Sequence, residues 1–366
     1  MHPLAARRLL NQQIAAATCT TPAEVVSHLL AMQAQDYLGT LWAVGLRLPG
    51  STERTIEAAL ENRSIVRTWP MRGTLHLVAA DDVRWLLDLL APRRLAQAAY
   101  RRRQLDIDED TLARSRAVCQ KALQGGRQLE RGAMFALLES HGISTAGQRG
   151  IHILGTLAQE GLLCLGARSG KQFTFALLDE WVPHARSLPR DEALAELARR
   201  YCVGHGPAAV QDFAWWSGLT LSDARAALAA AAPHLQQEVI DGDTYWQAAG
   251  APDAANVDSE ELADAVHLLP GFDEYLLGYT DRSAVLDPRH ALLTHPGTNG
   301  MMLPVLVVGG RVVGVWKRAI KKKAVALNFT PFEPLTVAQK EAVAGAAERY
   351  GHFLQLPVIV RWQDVP

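Results

Sequence analysis

Two glutamines two positions apart, Gln33-Ala34-Gln35, are the pair in this sequence whose types and spacing invite chemistry. A carboxamide oxygen accepts a hydrogen bond from water, and the NH₂ group beside it orients that water. Neither side chain is a real general base, so any reaction they assist must have a leaving group that departs easily. Geometry adds a condition. Residues two apart point to roughly opposite sides of an α-helix but share one face of an extended strand. Thr21-Pro22 reads as an N-cap followed by proline at the first helical position, opening a helix from Ala23 to about Met32. If Gln33 and Gln35 share a water, that helix must stop there. Asp36 and Tyr37 are good terminators and agree with a stop. Asp36 then faces away from Gln35, as a cap or positioning group, with a catalytic role as the other option. The bland alternative makes the pair two surface glutamines in a helical tail.

Further candidates cluster in three places. In SIVRTWPMRGTLHLV, Ser64 to Val78, the residues Arg67, Trp69, Arg72 and His76 recur at two- to four-residue spacing through the breaks at Pro70 and Gly73. Arginine suits phosphate contacts and tryptophan suits stacking on a base or sugar. The competing reading puts Trp69 and Met71 in the core, pairs the arginines with Asp81 and Asp82, and leaves His76 structural. In HLLPGFDEYLLGYTDR, His267 to Arg282, an acidic loop is a poor partner for phosphate. Asp273 pairing with Arg282 to fix one module against another is the favoured reading, and an active-site Asp273 the second. After the Gly309-Gly310 turn, VVGVWKRAIKKK places Lys317, Arg318, Lys321, Lys322 and Lys323 together as a plausible phosphate clamp. Metal ligation is not indicated: His290 and His295 have no cysteine or acid at chelating spacing. No Gly-rich phosphate loop, dinucleotide fingerprint or nucleophile elbow occurs, so no nucleotide cofactor is expected.

The elements that must position these residues follow from pattern. Helices are expected over Leu4 to Ala17, Ala23 to Met32 and Thr52 to Glu61, then a hairpin over Ser64 to Val78. The order recurs in Asp110 to Leu123, Arg131 to His141 and Thr145 to Glu160 before a hairpin at Gly161 to Ala176. A third round runs through Asp191 to Tyr201, Pro207 to Trp216 and Leu221 to Ala230, closing on Gln236 to Gln247. Helices followed by a two-stranded hairpin make the order of a winged helix. From about Leu262 short β-rich runs (AVHLLP, YLLGY, MMLPVLVVGG, RVVGVW, AVALNF) suggest a small barrel or sheet, with a helix from Thr336 to Tyr350 and VIVRW as a closing strand. The expected class is α+β: tandem winged-helix modules at 1–105, 106–188 and 189–258, then a β-barrel-like domain at 259–366.

Composition narrows the class. The 366 residues carry 37 Lys+Arg against 38 Asp+Glu, a net charge of −1, which hides a division. Asn62 to Arg103 holds nine arginines and three aspartates, and Arg311 to Lys323 holds six basic residues and no acid. Between Arg225 and Arg282 stand eleven acids and no Lys or Arg. Such asymmetry permits a basic working face on a neutral protein. No apolar run approaches the roughly 18 residues that cross a bilayer, and MHPLAARRLLNQQIAAA lacks the apolar stretch of a secretory signal. Four scattered cysteines with no C-x-x-C pair suit a reducing, cytoplasmic setting.

Three stretches together, MQAQDY (Met32 to Tyr37), RTWPMRGTLHLV (Arg67 to Val78) and HLLPGFDEYLLGYTDR, resemble the AlkZ/YcaQ DNA glycosylases. The likeness covers essentially the whole chain. It implies tandem winged helices followed by a β-barrel, and a catalytic Gln-apolar-Gln or Gln-apolar-Asp motif. Here the motif reads Gln33-Ala34-Gln35, which is AlkZ-like. The resemblance implies excision of N7-alkylated purines from duplex DNA, with bulky or crosslinked adducts among the substrates; the expected enzyme is monofunctional, cofactor-free and monomeric. The chemistry suits glutamine: an N7-alkylguanine already carries positive charge and leaves as a neutral base, so the site needs only a water held against the anomeric carbon. A winged-helix regulator that binds DNA without breaking it is the rival reading.

Overall fold

The computed structural model describes residues 1–251, 259–297 and 300–363. The boundary drawn at 258 between the third and fourth segments lies outside the described residues. The chain forms two compact units. The first gathers the described residues of Met1–Glu57, Ala195–Trp216 and Thr220–Pro366, and the second Ala58–Leu194 with Ser217–Leu219.

In the first unit, helix Pro3–Asn11 is followed by helix Pro22–Leu29, whose start is fixed by a full capping box between Thr21 and Glu24 with Pro22 at its first position. Both helices are shorter than their patterns suggest. Gln13 and Leu30 adopt positive φ values of 61° and 67°, which stop helical propagation whatever the downstream side chains prefer. A helix the sequence pattern did not disclose, Tyr37–Leu46, follows directly. It is apolar nearly all round, so no amphipathic period announces it.

The C-terminal strands form an open sheet in the order Val358–Trp362, Val325–Pro331, Arg311–Ile320, Val305–Val308, Val266–Leu269. Neighbours are antiparallel except Val325–Pro331 against Val358–Trp362, which are parallel with Val325 opposite Val358. A parallel pair needs a long crossover, and helix Val337–Leu354 supplies it. The barrel expected of this segment does not close among the described residues: Val266–Leu269 and Val358–Trp362 remain the two edges. Val266–Leu269 is held from both sides, since the indole N–H of Trp42 donates to the Leu268 carbonyl (2.7 Å) and that of Trp316 to Leu269 (2.9 Å). YLLGY, expected as a strand, is instead the one-turn helix Glu274–Leu277. The Asp273 carboxylate accepts from the Tyr275 N–H at 3.0 Å, and this cap overrides the strand preference of the aromatic and branched residues.

In the second unit, hairpins Ile65–Met71/Thr74–Ala79 and Leu163–Ser169/Gln172–Leu177 lie side by side, joined where Arg67 pairs with Leu165; strand Leu129–Glu130 adds to Gln172–Leu177. Helices Glu109–Leu123, Arg131–Ser140 and Arg149–Gln159 cover a core that includes Leu112, Met134, Leu154, Leu157 and Phe175. The 22-residue helix Val83–Gln104 is hidden in the sequence by Pro92 within it and by its arginine-rich second half. The third round belongs mostly to the first unit: helices Arg190–His205, Val210–Ser217 and Leu221–Ala231 precede the hairpin Leu235–Ile240/Asp243–Ala248.

Gly45, in helix Tyr37–Leu46, has no room for a side chain: a Cβ there would lie 2.3 Å from Cε2 of Phe353 on helix Val337–Leu354. Gly45→Ala is expected to lower unfolding free energy by about 1–3 kcal/mol despite alanine's better helix propensity, measured by urea denaturation. Unchanged stability would mean that Phe353 swings away freely.

Candidate active site

The site is built on the stop after helix Pro22–Leu29. Met32–Gln33 is extended, and the chain stays non-helical through Asp36 before Tyr37–Leu46 begins. Ala34 is fully buried, Gln33 is 9% exposed, and Gln35 is exposed. The glutamines therefore stand at a transition from core to surface, Gln33 in extended backbone and Gln35 in the bend that follows it.

Side chains clamp the Gln33 main chain on both of its polar groups. Its N–H donates to Oε1 of Glu274 at 3.1 Å, and its carbonyl accepts from the Thr40 hydroxyl at 3.1 Å. Glu274, 1% exposed, uses its other oxygen to accept from the Trp216 indole N–H at 2.8 Å, with His205 Nε2 at 3.3 Å. The His205 ring stacks on Tyr201 with centroids 4.8 Å apart and lies 5.0 Å from Trp216. Sequence reasoning does not single out Glu274, His205 or Trp216 as site residues. The available signal is an acid pair, Asp273-Glu274, inside an apolar run, because carboxylates are buried only when partnered.

Asp273 is the second half of that signal. It does not pair with Arg282, whose Nε donates to the Leu276 carbonyl at 2.7 Å. Its partner is Arg47, a bidentate contact with N–O distances of 2.8 and 2.9 Å. Arg47 sits at the end of helix Tyr37–Leu46 with no exposed surface. Its remaining N–H groups donate to the carbonyls of Ala43 and Gln12 (2.8 Å each) and to the Gln12 side chain (3.1 Å). All five guanidinium donors are thus satisfied.

Asp36 occupies the N-cap position of helix Tyr37–Leu46, but its side chain makes no capping bond. Both carboxylate oxygens instead accept from Nη2 of Arg318, at 2.7 and 2.8 Å. The cap expected of Asp36 gives way to this charge-assisted contact, which is stronger than one neutral N–H could offer. Burial, helped by the negative charge of Asp36, pushes the nearby Tyr350 hydroxyl well above its ordinary value against the lowering pull of Arg318, so it stays protonated. Lys317 is exposed, and Lys321, Lys322 and Lys323 stand exposed at the tip joining strands Arg311–Ile320 and Val325–Pro331.

The remaining candidates lie in the second unit. Arg67 is nearly buried, its guanidinium carbon 4.2 Å from the Phe173 ring centroid. Trp69 is half-buried and stacks almost parallel with Phe175. Arg72 Nη2 lies 3.1 Å from Nε2 of His76, a ring with no exposed surface whose Nδ1 lies 3.0 Å from the Thr74 carbonyl. Asp82, offered by the sequence as a partner for Arg67 or Arg72, lies 3.8 Å from Arg186 and accepts from the Trp85 indole at 3.0 Å. Among the described residues no group of three His, Cys, Asp or Glu is placed to hold a metal, and no helix is long and apolar enough to cross a membrane.

The family model for DNA glycosylase AlkZ-like proteins matches residues 26–353, and the chain belongs to this family of DNA glycosylases. The interstrand DNA cross-link repair glycosylase of Streptomyces sahachiroi is 28% identical over 367 residues, spanning 96% of each chain. The solved structure of Streptomyces sahachiroi DNA glycosylase AlkZ superposes with a TM-score of 0.80 at 25% identity, covering 98% of each chain.

Because Arg47 is wholly buried, Arg47→Met should leave Asp273 as a buried charge without its partner. The expected loss of unfolding free energy is about 3–5 kcal/mol. The double variant Arg47→Met/Asp273→Asn should recover part of it. Equal losses in single and double variants, by chemical denaturation, would show that the pair is not coupled.

Proposed function

We propose that the chain is a monofunctional DNA glycosylase that hydrolyses the N-glycosidic bond of cationic N7-alkylated purines, with Gln33 and Gln35 holding the hydrolytic water. The observation that carries this reading is the extended Gln33 backbone, clamped by Glu274 and Thr40 immediately after a helix that stops at Leu29. A cationic base departs neutral, so the developing positive charge moves to the sugar and no acid is required. What remains is to place water against the anomeric carbon, and a fixed carboxamide does that by geometry. Asp36 and Asp273 then act as positioning residues, one through Arg318 and the other through the helix that carries Glu274.

The Streptomyces sahachiroi relative is named for interstrand cross-link repair, and the same chemistry extends to bulky and crosslinked adducts: an N7-linked purine is cationic whatever its substituent. In this reading the enzyme works as a cytoplasmic monomer without a cofactor. The helix–hairpin rounds act as winged-helix modules on duplex DNA at 1–105, 106–188 and 189–258. Lys317, Lys321, Lys322 and Lys323, with Arg318 between them, supply phosphate contacts. Arg67, Trp69, Arg72 and His76 form a second contact region, in which buried His76 acts through Arg72.

On a 7-methylguanine duplex, Gln33→Ala and Gln35→Ala should each slow excision at least tenfold, about 1.4 kcal/mol in the barrier, with DNA affinity little changed. Alkali-induced strand scission reads the rate, and wild-type rates in both variants would remove the motif from the chemistry. Wild-type protein should leave a uracil duplex intact, since glutamine cannot assist a poor leaving group. No lysine precedes Lys121, so borohydride should trap no covalent adduct.

Neutralising Lys321, Lys322 and Lys323 together to alanine should flatten the dependence of log K on log salt by up to about 0.9 for each phosphate that the lysines had neutralised. An unchanged slope would place that tip away from the duplex.

A further inference from the structure

Arg67 and Trp69, singled out in the sequence for DNA contact, share a cavity within the second unit. Its volume is about 310 Å³, at the small end of the roughly 300–1,000 Å³ range of ligand pockets. Three of its walls are aromatic: Trp69, Phe173 and Phe175. Trp69 and Phe175 lie almost parallel, 6° between ring planes and 6.5 Å between centroids, and the Arg67 guanidinium lies over the Phe173 ring, so half-buried Trp69 is the more open of the aromatic walls. The charged residues lining it are all cations, Arg67, Arg131 and Lys171, with no carboxylate among the lining groups. Arg131 and Lys171 are exposed, whereas Arg67 is buried, so positive charge lies both at the mouth and on the wall.

A flat aromatic wall selects a flat, polarisable ring, and the exposed cations at the mouth, Arg131 and Lys171, select an anion attached to it. We infer that this cavity receives a single nucleotide of a DNA strand, its base against Trp69 and its phosphate toward Arg131 and Lys171. Base–aromatic stacking is tolerant of sequence because every base has a π-face, so the pocket takes any unstacked nucleotide. A fully paired duplex offers none. The volume admits one heterocycle, not a run of bases. The inference rests on the DNA glycosylase reading for its choice of ligand source, but the site is distinct from Gln33 and Gln35, and it predicts a binding preference with no excision step.

Gly155 supplies a clean test. It lines the cavity from within helix Arg149–Gln159, and a Cβ added there meets no heavy atom within 4 Å. Gly155→Leu therefore fills the cavity without a first clash, and leucine favours the helix more than glycine does. The probe is an unmodified duplex with one extrahelical 2-aminopurine nucleotide, against the same duplex fully paired, with full-length protein and fluorescence anisotropy. Wild type should bind the bulged duplex at least tenfold more tightly. Gly155→Leu should abolish that preference while leaving paired-duplex affinity and 7-methylguanine excision unchanged, and Trp69→Ala should weaken the preference. No preference in wild type, or one that survives Gly155→Leu, overturns the proposal. Free dAMP that occupies the wild-type cavity as tightly as the bulged nucleotide does would assign the pocket to soluble nucleotides and overturn the strand as its source. Because the probe contains no alkylated base, either failure leaves the excision reading standing.

Discussion

Arg47 and Asp273 are separated by 226 positions in sequence and meet in a bidentate pair with almost no solvent exposure on either side. Burying two charges costs several kcal/mol each unless every donor and lone pair finds a partner. Here that requirement organises the unit. Three of Arg47's five N–H groups must go to Gln12 and Ala43, which fixes the segment after the first helix and the last turn of helix Tyr37–Leu46. Asp273, held by Arg47, still accepts the Tyr275 N–H and so nucleates the single turn Glu274–Leu277. That turn is too short to persist by itself. Its register determines where Glu274 points, and Glu274 grips the Gln33 N–H. A packing constraint is thereby transmitted through three hydrogen-bonded links to the residue on which the chemistry is proposed to rest.

The same chain of contacts explains why Gln33 is extended. Met32 and Ala34 are buried apolar residues on either side of Gln33, and a helix continuing through them would turn one of the two glutamines inward. Leu30 at φ 67° breaks the helix first, at a local strain cost of order 1–3 kcal/mol for a branched residue. Glu274 and Thr40 then satisfy the backbone groups that the missing helical turn would have satisfied, so the break leaves neither Gln33 polar group unpaired. His205 and Trp216 complete the surroundings of the carboxylate, and the aromatic ring of Tyr201 closes over the imidazole.

What can be read in the sequence is local. The Thr21-Pro22 cap, the hairpins turning at Arg72-Gly73 and Gly170-Lys171, and the lysine tip after Gly309-Gly310 are each specified within a few residues, by turn chemistry and periodicity. The spacing condition that the helix must stop before Gln33 is likewise local, and the helix stops at Leu29. Contacts across hundreds of positions are not legible. Nearness in sequence points Asp273 to Arg282, nine residues away, whereas a lone Arg47 in the apolar run LWAVGLRLPG marks the true partner. The apolar run around Glu274 marks it as a buried acid but not what it grips, since its partner is a backbone amide 241 positions earlier. YLLGY reads as a strand because strand propensity ignores a capping aspartate fixed from outside. The closing of a barrel is a property of which edges meet, and no run of residues encodes it alone.

The two kinds of cation have separate work here. Arginine's planar fork can satisfy several acceptors at once, so it tolerates burial far better than an ammonium group does. Arg8 lies over the Tyr279 ring at 3.6 Å and donates to the Pro207 carbonyl, Arg47 holds Asp273, Arg67 lies on Phe173 and Arg318 holds Asp36. Arginine abundance in the sequence therefore overstates the positive surface. Lys317, Lys321, Lys322 and Lys323 are exposed, on strand Arg311–Ile320 and the tip that follows it. Counterion release counts phosphates neutralised at the surface, not cations in the composition. In a chain with seven lysines and a net charge of −1, the surface charge of strand Arg311–Ile320 and its tip is therefore set by a few ammonium groups, while Arg8, Arg47, Arg67 and Arg318 are engaged in internal contacts.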